Sequence, residues 1–536
     1  MRWQPASAMH WLFDAKQGSP DRLLPRWLFL RALGVIYFSA FYSLLFQIRG
    51  LIGSEGILPA GDYLHAVAQS LGPWMRLWYA PTVLWWSSGN AALVALCWAG
   101  LVASLLLVLN LWPRAMLAIC FVLFLSFIAA AQDFSSYQSD GMLLEAGFLS
   151  FFLAPAGLRP GLGRSYPGPR ASWLLLLWEW FRIYFESGVV KLQSGDPQWR
   201  NFTAMDEYYQ NGPLPTSIGW YVQHLPHWFH AGTVYATLAL ELGLVWMVFL
   251  PRRLRIICFF IVTAWQIPVI LTANYTFLNY LVLVLGVFLL DDRFITGILP
   301  ARWRTRFPGL IAAGSAAASE EAAIYSESWA EALWRRWRVL RLTLTSFLLF
   351  WIFYATTAEM LTEAHLPMSP VLALEPFRIA NRYGLFAVMT RGRYEIEFQG
   401  SNDGQTWTPY PFRYKPQATN ERPRIYAPYQ PRFEWNLWFA SLGTWREYPI
   451  VPNTEVRLLT NGKDVLELFA RDPFHGAPPK QIRAVLWQYW FTTLEEKRAT
   501  GNWWRRQWIG LYAPTLERTP DGKIHVVEWP DAPPRE

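Results

Sequence analysis

Nine stretches of mainly apolar residues follow one another over the first 361 residues of the chain. A helix of about 20 such residues crosses the hydrocarbon core of a bilayer, which is about 30 Å thick. Backbone N–H and C=O groups find no water there, so a crossing segment pairs them internally, as a helix does. We therefore predict a polytopic α-helical membrane protein with spans at 27–48, 89–111, 115–132, 141–158, 171–191, 229–250, 256–273, 275–291 and 342–361.

The composition supports a membrane protein. Hydrophobic residues make up 53% of the chain and charged residues 16%, against about 25% charged residues in ordinary soluble domains. The three cysteines, Cys97, Cys120 and Cys258, all lie in apolar runs, so neither a disulfide framework nor a zinc site is expected. These features exclude a disordered chain, a disulfide scaffold and a standard cytosolic enzyme.

The net charge of +8 has an explanation in membrane topology. With a cytoplasmic N-terminus and nine spans, the inner segments hold nineteen arginines and lysines, and the outer loops hold four: Arg49, Arg76, Lys191 and Arg200. Cytoplasmic loops carry such an excess in membrane proteins. We therefore predict no nucleic-acid partner, a membrane domain over 1–361 with a cytoplasmic linker at 292–341, and an extracytoplasmic tail.

The tail, residues 362–536, is long enough for one domain. Alternating apolar residues at 394–398 and 410–414 flank Asn402-Asp403-Gly404, which predicts a β-hairpin. The patterns at 464–470 and 478–497 favour helices. We expect a β-rich α+β domain.

Ionisable side chains inside the spans are the first functional candidates, because a charge in the bilayer is costly unless it is paired or hydrated. Glu179, Arg182 and Glu186 fall on one face of the fifth helix. Either they form a buried strut that fixes the helix register, or they line a polar ligand cavity. Further intramembrane partners of both signs are Arg31, Glu145 and Glu241.

Lys191 lies at the outer end of the same span. One interpretation is a snorkelling anchor whose ammonium reaches the interface. The other is a general base, because a lysine in apolar surroundings can lose its proton.

A polar outer loop precedes the fourth span. It mixes carboxylates and hydroxyls directly above a membrane helix, and it either caps that helix through Asp140 or lines a pocket. Its candidate pocket residues are Asp133, Ser136, Tyr137 and Asp140.

Several runs resemble the lipase maturation factor family, over roughly 27–516 of the chain. In the membrane half they are 50–59, which reads Gly-Leu-Ile-Gly-Ser-Glu-Gly-Ile-Leu-Pro, then 133–148 and 181–192. In the tail they are 429–435, which reads Tyr-Gln-Pro-Arg-Phe-Glu-Trp, then 438–440 and 468–474. The resemblance implies a maturation or assembly role for secreted proteins such as lipases, in the endoplasmic-reticulum membrane if the host is eukaryotic. The arginine-rich sequence suits a bacterial inner membrane with the tail in the periplasm.

One helix is also similar to another membrane family. Ser187-Gly188-Val189-Val190-Lys191-Leu192, followed by Trp199, resembles a segment of the vitamin K-dependent γ-carboxylases. Those enzymes share a horizontally transferred transmembrane (HTTM) domain, and the lysine that Lys191 matches is their catalytic base. The resemblance implies an HTTM-like bundle.

Two functions follow from these observations. The leading hypothesis is a chaperone-like maturation factor that sits in the lipid membrane and whose extracytoplasmic tail handles a secreted client. The alternative is a membrane enzyme that acts on a lipid or quinone-like substrate through Lys191. We expect no metal and no cofactor. Tryptophan and arginine side chains of the tail either grip the client or form the domain core: Arg432, Trp435, Trp438, Trp503, Trp504 and Arg505.

Overall fold

The computed structural model describes residues 5–135, 137–300, 329–361 and 365–530. We refer to the described residues up to 361 as the membrane half and to residues 365–530 as the tail. The linker predicted at 292–341 falls largely outside the described residues.

The membrane half is helical in every described range. Its helices are α1 (Pro5–Phe13), α2 (Leu23–Leu45), α3 (Ile48–Ile52), α4 (Ala60–Ser70), α5 (Pro73–Tyr79), α6 (Asn90–Val108), α7 (Pro113–Ile128), α8 (Gln138–Leu153), α9 (Arg170–Gln193), α10 (Pro197–Arg200), α11 (Tyr208–Asn211), α12 (Ser217–Gln223), α13 (His227–Leu242), α14 (Arg252–Thr272), α15 (Leu278–Gly286), α16 (Asp292–Ile298) and α17 (Trp329–Met360).

A helix lies at each of the nine predicted spans. Five are long and apolar enough to cross a membrane: Leu23–Leu45, Asn90–Val108, His227–Phe249, Arg252–Thr272 and Arg335–Met360. Two others, Pro113–Ile128 and Leu278–Leu289, are apolar but shorter. The helical membrane architecture is therefore confirmed, and the number of crossings stays a prediction.

Small residues let the membrane helices approach closely. A Cβ on Gly100 of α6 would lie 2.5 Å from the ring of Phe41 on α2. A Cβ on Gly147 of α8 would lie 2.0 Å from the hydroxyl of Tyr37, which donates a hydrogen bond to the Leu143 carbonyl. Close backbone contact at small residues is the usual way in which membrane helices pack.

The tail contains a six-stranded antiparallel sheet. Its strands are β1 (Arg393–Ser401), β2 (Thr408–Pro409), β3 (Gln481–Phe491), β4 (Trp504–Leu511), β5 (Thr515–Arg518) and β6 (Ile524–Glu528). The order is β2-β1-β3-β5-β6, and β4 also pairs with β3. The described tail also contains five short helices: α18 (Ser369–Leu372), α19 (Arg432–Leu442), α20 (Ile450–Leu459), α21 (Lys463–Leu466) and α22 (Leu494–Thr500).

The sheet confirms the β-rich domain and corrects two details. The hairpin at Asn402-Asp403-Gly404 forms, but its second strand covers 408–409 instead of 410–414. The helix predicted at 478–497 is wrong over most of its length, because β3 occupies Gln481–Phe491 and only the end joins α22. β3 lies between β1 on one side and β4 and β5 on the other, so it carries apolar residues on both faces and lacks a clear alternation.

Candidate functional site

A buried charge cluster lies between α8 and α9. We define the charge cluster as Glu145, Glu179, Arg182 and Glu186; all four side chains are buried. The guanidinium of Arg182 contacts the carboxylate of Glu145 directly, and its Nη1 lies 3.8 Å from Oε1 of Glu186. Arg182 therefore joins α9 to α8 and also pairs with Glu186, one turn further along α9.

The structure corrects the predicted partners within this cluster. Sequence spacing paired Arg182 with Glu179 and Glu186; the pairing with Glu186 is present at 3.8 Å, but the carboxylate in direct contact with Arg182 is that of Glu145. The carboxylate oxygens of Glu179 accept no hydrogen bond from the described residues. Glu145 comes from another helix, so helical periodicity could not indicate the pairing.

A segment of the tail closes the charge cluster. We call residues 379–390 the docking segment. The hydroxyl of Tyr383 donates to Glu145 Oε2 at 2.9 Å, and the backbone N–H of Tyr383 donates to Glu186 Oε2 at 2.5 Å. The carbonyl of Asn381 accepts from Arg182 Nη1 at 2.6 Å, and its amide side chain donates to Glu145 at 3.1 Å. Glu145, Arg182 and Glu186 of the membrane half are thus joined to the tail by a single hydrogen-bonded network.

Lys191 lies next to this network, at the end of α9. Its side chain is 2% exposed, and its Nζ lies 3.0 and 2.8 Å from the two carboxylate oxygens of Glu241 on α13. The same ammonium donates to the carbonyl of Leu385 in the docking segment at 3.0 Å. The snorkelling interpretation is therefore wrong, because a buried acidic partner holds the ammonium inside the protein.

A second buried ion pair joins the tail to the outer loop. Arg432 at the start of α19 donates from Nη1 to Asp140 Oδ2 at 2.7 Å and from Nη2 to Asp140 Oδ1 at 2.8 Å. Its Nη1 also donates to the carbonyl of Phe134 at 2.7 Å. Both charged side chains are at most 1% exposed. Bidentate arginine–carboxylate geometry is the strongest hydrogen-bonded form of such a pair.

The outer loop is therefore an anchoring point for the tail. Asp140 lies in the first turn of α8, whose N-cap residue is Tyr137, so the capping interpretation of Asp140 is wrong. Tyr137 packs against Trp435 and Phe439 of α19. Burial raises the pKa of the Asp133 carboxyl. Ser136 lies outside the described residues.

Arg31 does not join the charge cluster. Its guanidinium is buried on α2, finds no hydrogen-bond acceptor among the described residues, and lies over the ring of Trp27 at 5.6 Å. The prediction of an ionic partner for Arg31 is wrong within the described part of the chain, while Glu145 and Glu241 both have one.

A cavity of about 490 Å³ lies between the membrane helices and the tail. Helices α9, α13, α14 and α15 form its walls, and the docking segment and α19 close it from the tail. Lys191 and Glu241 are the charged side chains in its described lining. The lining also includes Tyr137, so one residue of the predicted outer-loop pocket does border a pocket.

The predicted aromatic partner surface is mostly internal. Arg432, Trp435, Trp438 and Trp504 are buried. Trp438 donates from its indole N–H to the Asn211 carbonyl at 3.1 Å, and Trp504 packs on Phe491 in the sheet. The core interpretation is therefore correct for these four, because their rings fill the tail and its contact with the membrane half. Trp503 is half-buried and Arg505 is exposed.

Sequence reasoning missed the docking segment. Asn381 and Tyr383 follow no periodic pattern and carry no motif, and their partners are about 200 residues away in the chain. The run at 429–435 did give a signal, since it contains Gln430 and Arg432, which face the membrane half.

Comparison with known proteins covers both halves. The chain matches the family model for the lipase maturation factor transmembrane domain over residues 24–297 and the model for the lipase maturation factor C-terminal domain over 379–514. Lipase maturation factor 2 of Homo sapiens is 32% identical over 92% of this chain and 82% of its own length. Lipase maturation factor 1 of Bos taurus is 32% identical over 96% of this chain and 94% of its own length. No solved structure matches the chain.

Proposed function

Because the chain belongs to the lipase maturation factor family, we propose that it is an integral membrane factor for the maturation or assembly of secreted lipases. The observation that carries the proposal is the extent of the similarity, which runs through both halves and nearly the full length of relatives named for this role. A likeness confined to the membrane helices would support a membrane fold alone.

The geometry supports a scaffold that acts as one body. Two of the buried arginines, Arg182 and Arg432, hold groups from the other half of the chain. The Arg432–Asp140 ion pair itself crosses between the halves, and breaking a buried ion pair costs about 3–5 kcal/mol. Arg182 adds a hydrogen bond to the Asn381 carbonyl, so movement between the halves is opposed at two separate points. A tail held in this way presents a client-binding surface at a fixed position above the membrane helices.

The alternative of a membrane enzyme has no support among the relatives. An ammonium group has three donors, and those of Lys191 meet Glu241, the Leu385 carbonyl at 3.0 Å and the Ser187 carbonyl at 3.3 Å. A general base needs a free lone pair directed at its substrate. The arrangement around Lys191 supports a structural cation instead.

We place the client contact on the exposed side of β4. Within this strand Arg505, Arg506, Gln507 and Trp508 are all exposed. Among the described strands β4 pairs with β3, so β4 is an edge strand of the described sheet. Tryptophan and arginine are enriched at the centres of protein interfaces.

Stacked side chains prepare this surface. The guanidinium of Arg506 lies 4.1 Å from the ring centre of Trp487, and that of Arg483 lies 5.4 Å from Trp508. Trp487 and Trp508 also meet edge to face at 5.2 Å. Because these side chains already hold one another in place, they lose little conformational freedom when a client binds.

We further propose that the tail lies on the extracytoplasmic side, in the periplasm of a bacterial host or in the endoplasmic-reticulum lumen of a eukaryotic one. The nineteen-to-four distribution of arginine and lysine supports this orientation. A secreted client would meet the tail only on that side of the membrane. A reporter enzyme fused to the C-terminus should be active on the extracytoplasmic side, and cytoplasmic activity would overturn the orientation.

Rescue of a secreted lipase tests the function. A host without its own maturation factor would express a lipase client with or without this chain, and the measured quantity would be secreted lipase activity per mass of lipase. We expect the chain to raise this specific activity. Equal values with and without the chain, tested over several lipases, would contradict the proposal.

Two tryptophan variants test the surface. Trp508→Ala removes an exposed indole from the β4 side, and Trp529→Ala is the matched control, since Trp529 is 61% exposed elsewhere on the tail. Hot-spot tryptophans weaken binding by about tenfold or more when truncated, so Trp508→Ala should reduce the rescue and Trp529→Ala should not. Equal effects would place the client elsewhere.

A further inference from the structure

Unpartnered polar atoms gather around the cavity between the two halves. Asn211 Oδ1, Trp435 Nε1, and both Oε1 and Nε2 of Gln430 are buried and find no hydrogen-bond partner among the described residues. All three side chains line the cavity, and each is at most 7% exposed. Buried polar groups are almost always paired in folded proteins, so a concentration of unpaired ones indicates a ligand.

The free atoms define the polar part of that ligand. Trp435 and the Gln430 amide nitrogen offer donors, and Asn211 and the Gln430 amide oxygen offer acceptors. Lys191 and Glu241 neutralise each other, so the described lining offers no unpaired charge. The ligand that fits is therefore uncharged and carries hydroxyl, ester or amide groups.

The rest of the lining defines an apolar part. Ile183, Trp265, Val269, Leu278 and Val282 project from α9, α14 and α15, three helices at predicted membrane spans. The cavity volume of about 490 Å³ lies within the range of small-molecule sites. It suits a single acyl chain with a small head better than a phospholipid with two chains.

We propose that this cavity binds one uncharged single-chain lipid of the monoacylglycerol class. Its head forms hydrogen bonds with Gln430 and Trp435 of the tail and with Asn211 of the membrane half, and its chain lies among the apolar side chains of α9, α14 and α15. The lipid thus joins the two halves. This binding is separate from client maturation and does not depend on it.

Lipid binding to the purified full-length chain tests the proposal. The probe is radiolabelled 1-oleoylglycerol in dodecyl maltoside, and oleate is the competitor, because it has the same chain and a negative charge. We expect saturable binding of about one lipid per chain. Oleate should bind at least about tenfold more weakly, because a carboxylate would lie unpaired beside the Lys191–Glu241 pair.

Two variants locate the site. Trp435→Phe removes the indole N–H and keeps a ring, and Gln430→Leu removes both amide atoms; each should weaken 1-oleoylglycerol binding by about five- to tenfold. The matched control is Trp74→Phe, since Trp74 is 86% exposed on α5. The elution volume and the protection of the three buried cysteines show that each variant is folded.

Three results would overturn the proposal. They are binding of 1-oleoylglycerol that does not saturate, binding of oleate as tight as that of 1-oleoylglycerol, and folded Trp435→Phe and Gln430→Leu variants that bind like the Trp74→Phe control. The first result would mean that water alone satisfies the unpaired atoms. A chain that binds lipid and fails to mature any lipase would leave this inference intact and refute the proposed function alone.

Discussion

Replacement of Arg432 by methionine tests whether the tail is rigidly joined to the membrane half. Arg432→Met keeps most of the apolar stem and removes three hydrogen bonds, two to Asp140 and one to the Phe134 carbonyl. It also leaves the Asp140 carboxylate, which is 0% exposed, without its cation. Breaking a buried pair in this way costs about 3–5 kcal/mol, which corresponds to a decrease of roughly 3–4 °C in Tm for a chain of 536 residues that unfolds as one unit.

The assay is thermal unfolding in dodecyl maltoside, followed by intrinsic tryptophan fluorescence. The matched control is Arg49→Met, because Arg49 also pairs across the halves, with Glu467 at 2.6 Å and Asp464 at 3.5 Å, while its own side chain is 41% exposed. An exposed pair contributes about 0–1 kcal/mol. The double variant Asp140→Leu/Arg432→Met should recover much of the lost stability, since no unpaired charge is left in it. Equal decreases in Tm for Arg432→Met and Arg49→Met would refute the reasoning.

Three further predictions concern buried charges. Arg182→Leu leaves Glu145 and Glu186 without a cation and should lower stability by about 3–5 kcal/mol, measured as Tm in detergent; an unchanged Tm would show that water reaches the charge cluster. Lys191→Met should lower Tm, because it leaves the buried carboxylate of Glu241 unpaired. The double variant Lys191→Met/Glu241→Leu should restore both Tm and lipase maturation. A double variant that is stable but does not mature the lipase would identify Lys191 as a base. Burial raises the pKa of Glu434 to about 8. Between about pH 4.5 and 8 the folded chain then binds one proton more than the unfolded chain, so the free energy of unfolding falls as pH rises, by up to about 1.4 kcal/mol per pH unit. Glu434→Gln should remove this pH dependence from Tm values measured across the interval.

The apolar runs were sufficient to predict the helices. A bilayer fixes the length of a crossing segment and requires its backbone hydrogen bonds to form within the segment. The composition of a window of about 20 residues therefore predicts a helix with little dependence on tertiary contacts. Helix geometry also placed Arg182 and Glu186 together, because four residues separate them. Lys191 was correctly selected as a notable residue, although its burial and its pairing with Glu241 depend on another helix.

Long-range partners had no local signal. Glu145 is 37 residues from Arg182, and Tyr383 is 238 residues from Glu145, so no spacing rule could bring them together. The tail tryptophans illustrate the same limit. Trp435 and Trp504 have the composition of a partner surface, and only the tertiary structure shows that they fill the interior of the chain. Composition cannot distinguish an external interface from one between two halves of the same chain.

A disulfide between the two halves is the sharpest test that the chain matures lipases as one rigid body. A Cβ on Gly384 of the docking segment would lie 3.8 Å from Cβ of Val190 on α9, which is the usual separation across a disulfide. The three natural cysteines are buried in the membrane half and leave the new pair unopposed. The measurement is the specific activity of a secreted lipase in cells that carry Val190→Cys/Gly384→Cys, with each single variant as a control. We predict that the disulfide forms on mild oxidation and that the linked chain matures the lipase as well as the single variants do. Failure of the disulfide to form, or a loss of lipase maturation that a reductant restores, would contradict the rigid-body account. Such a result would mean that the two halves must move apart while the lipase matures.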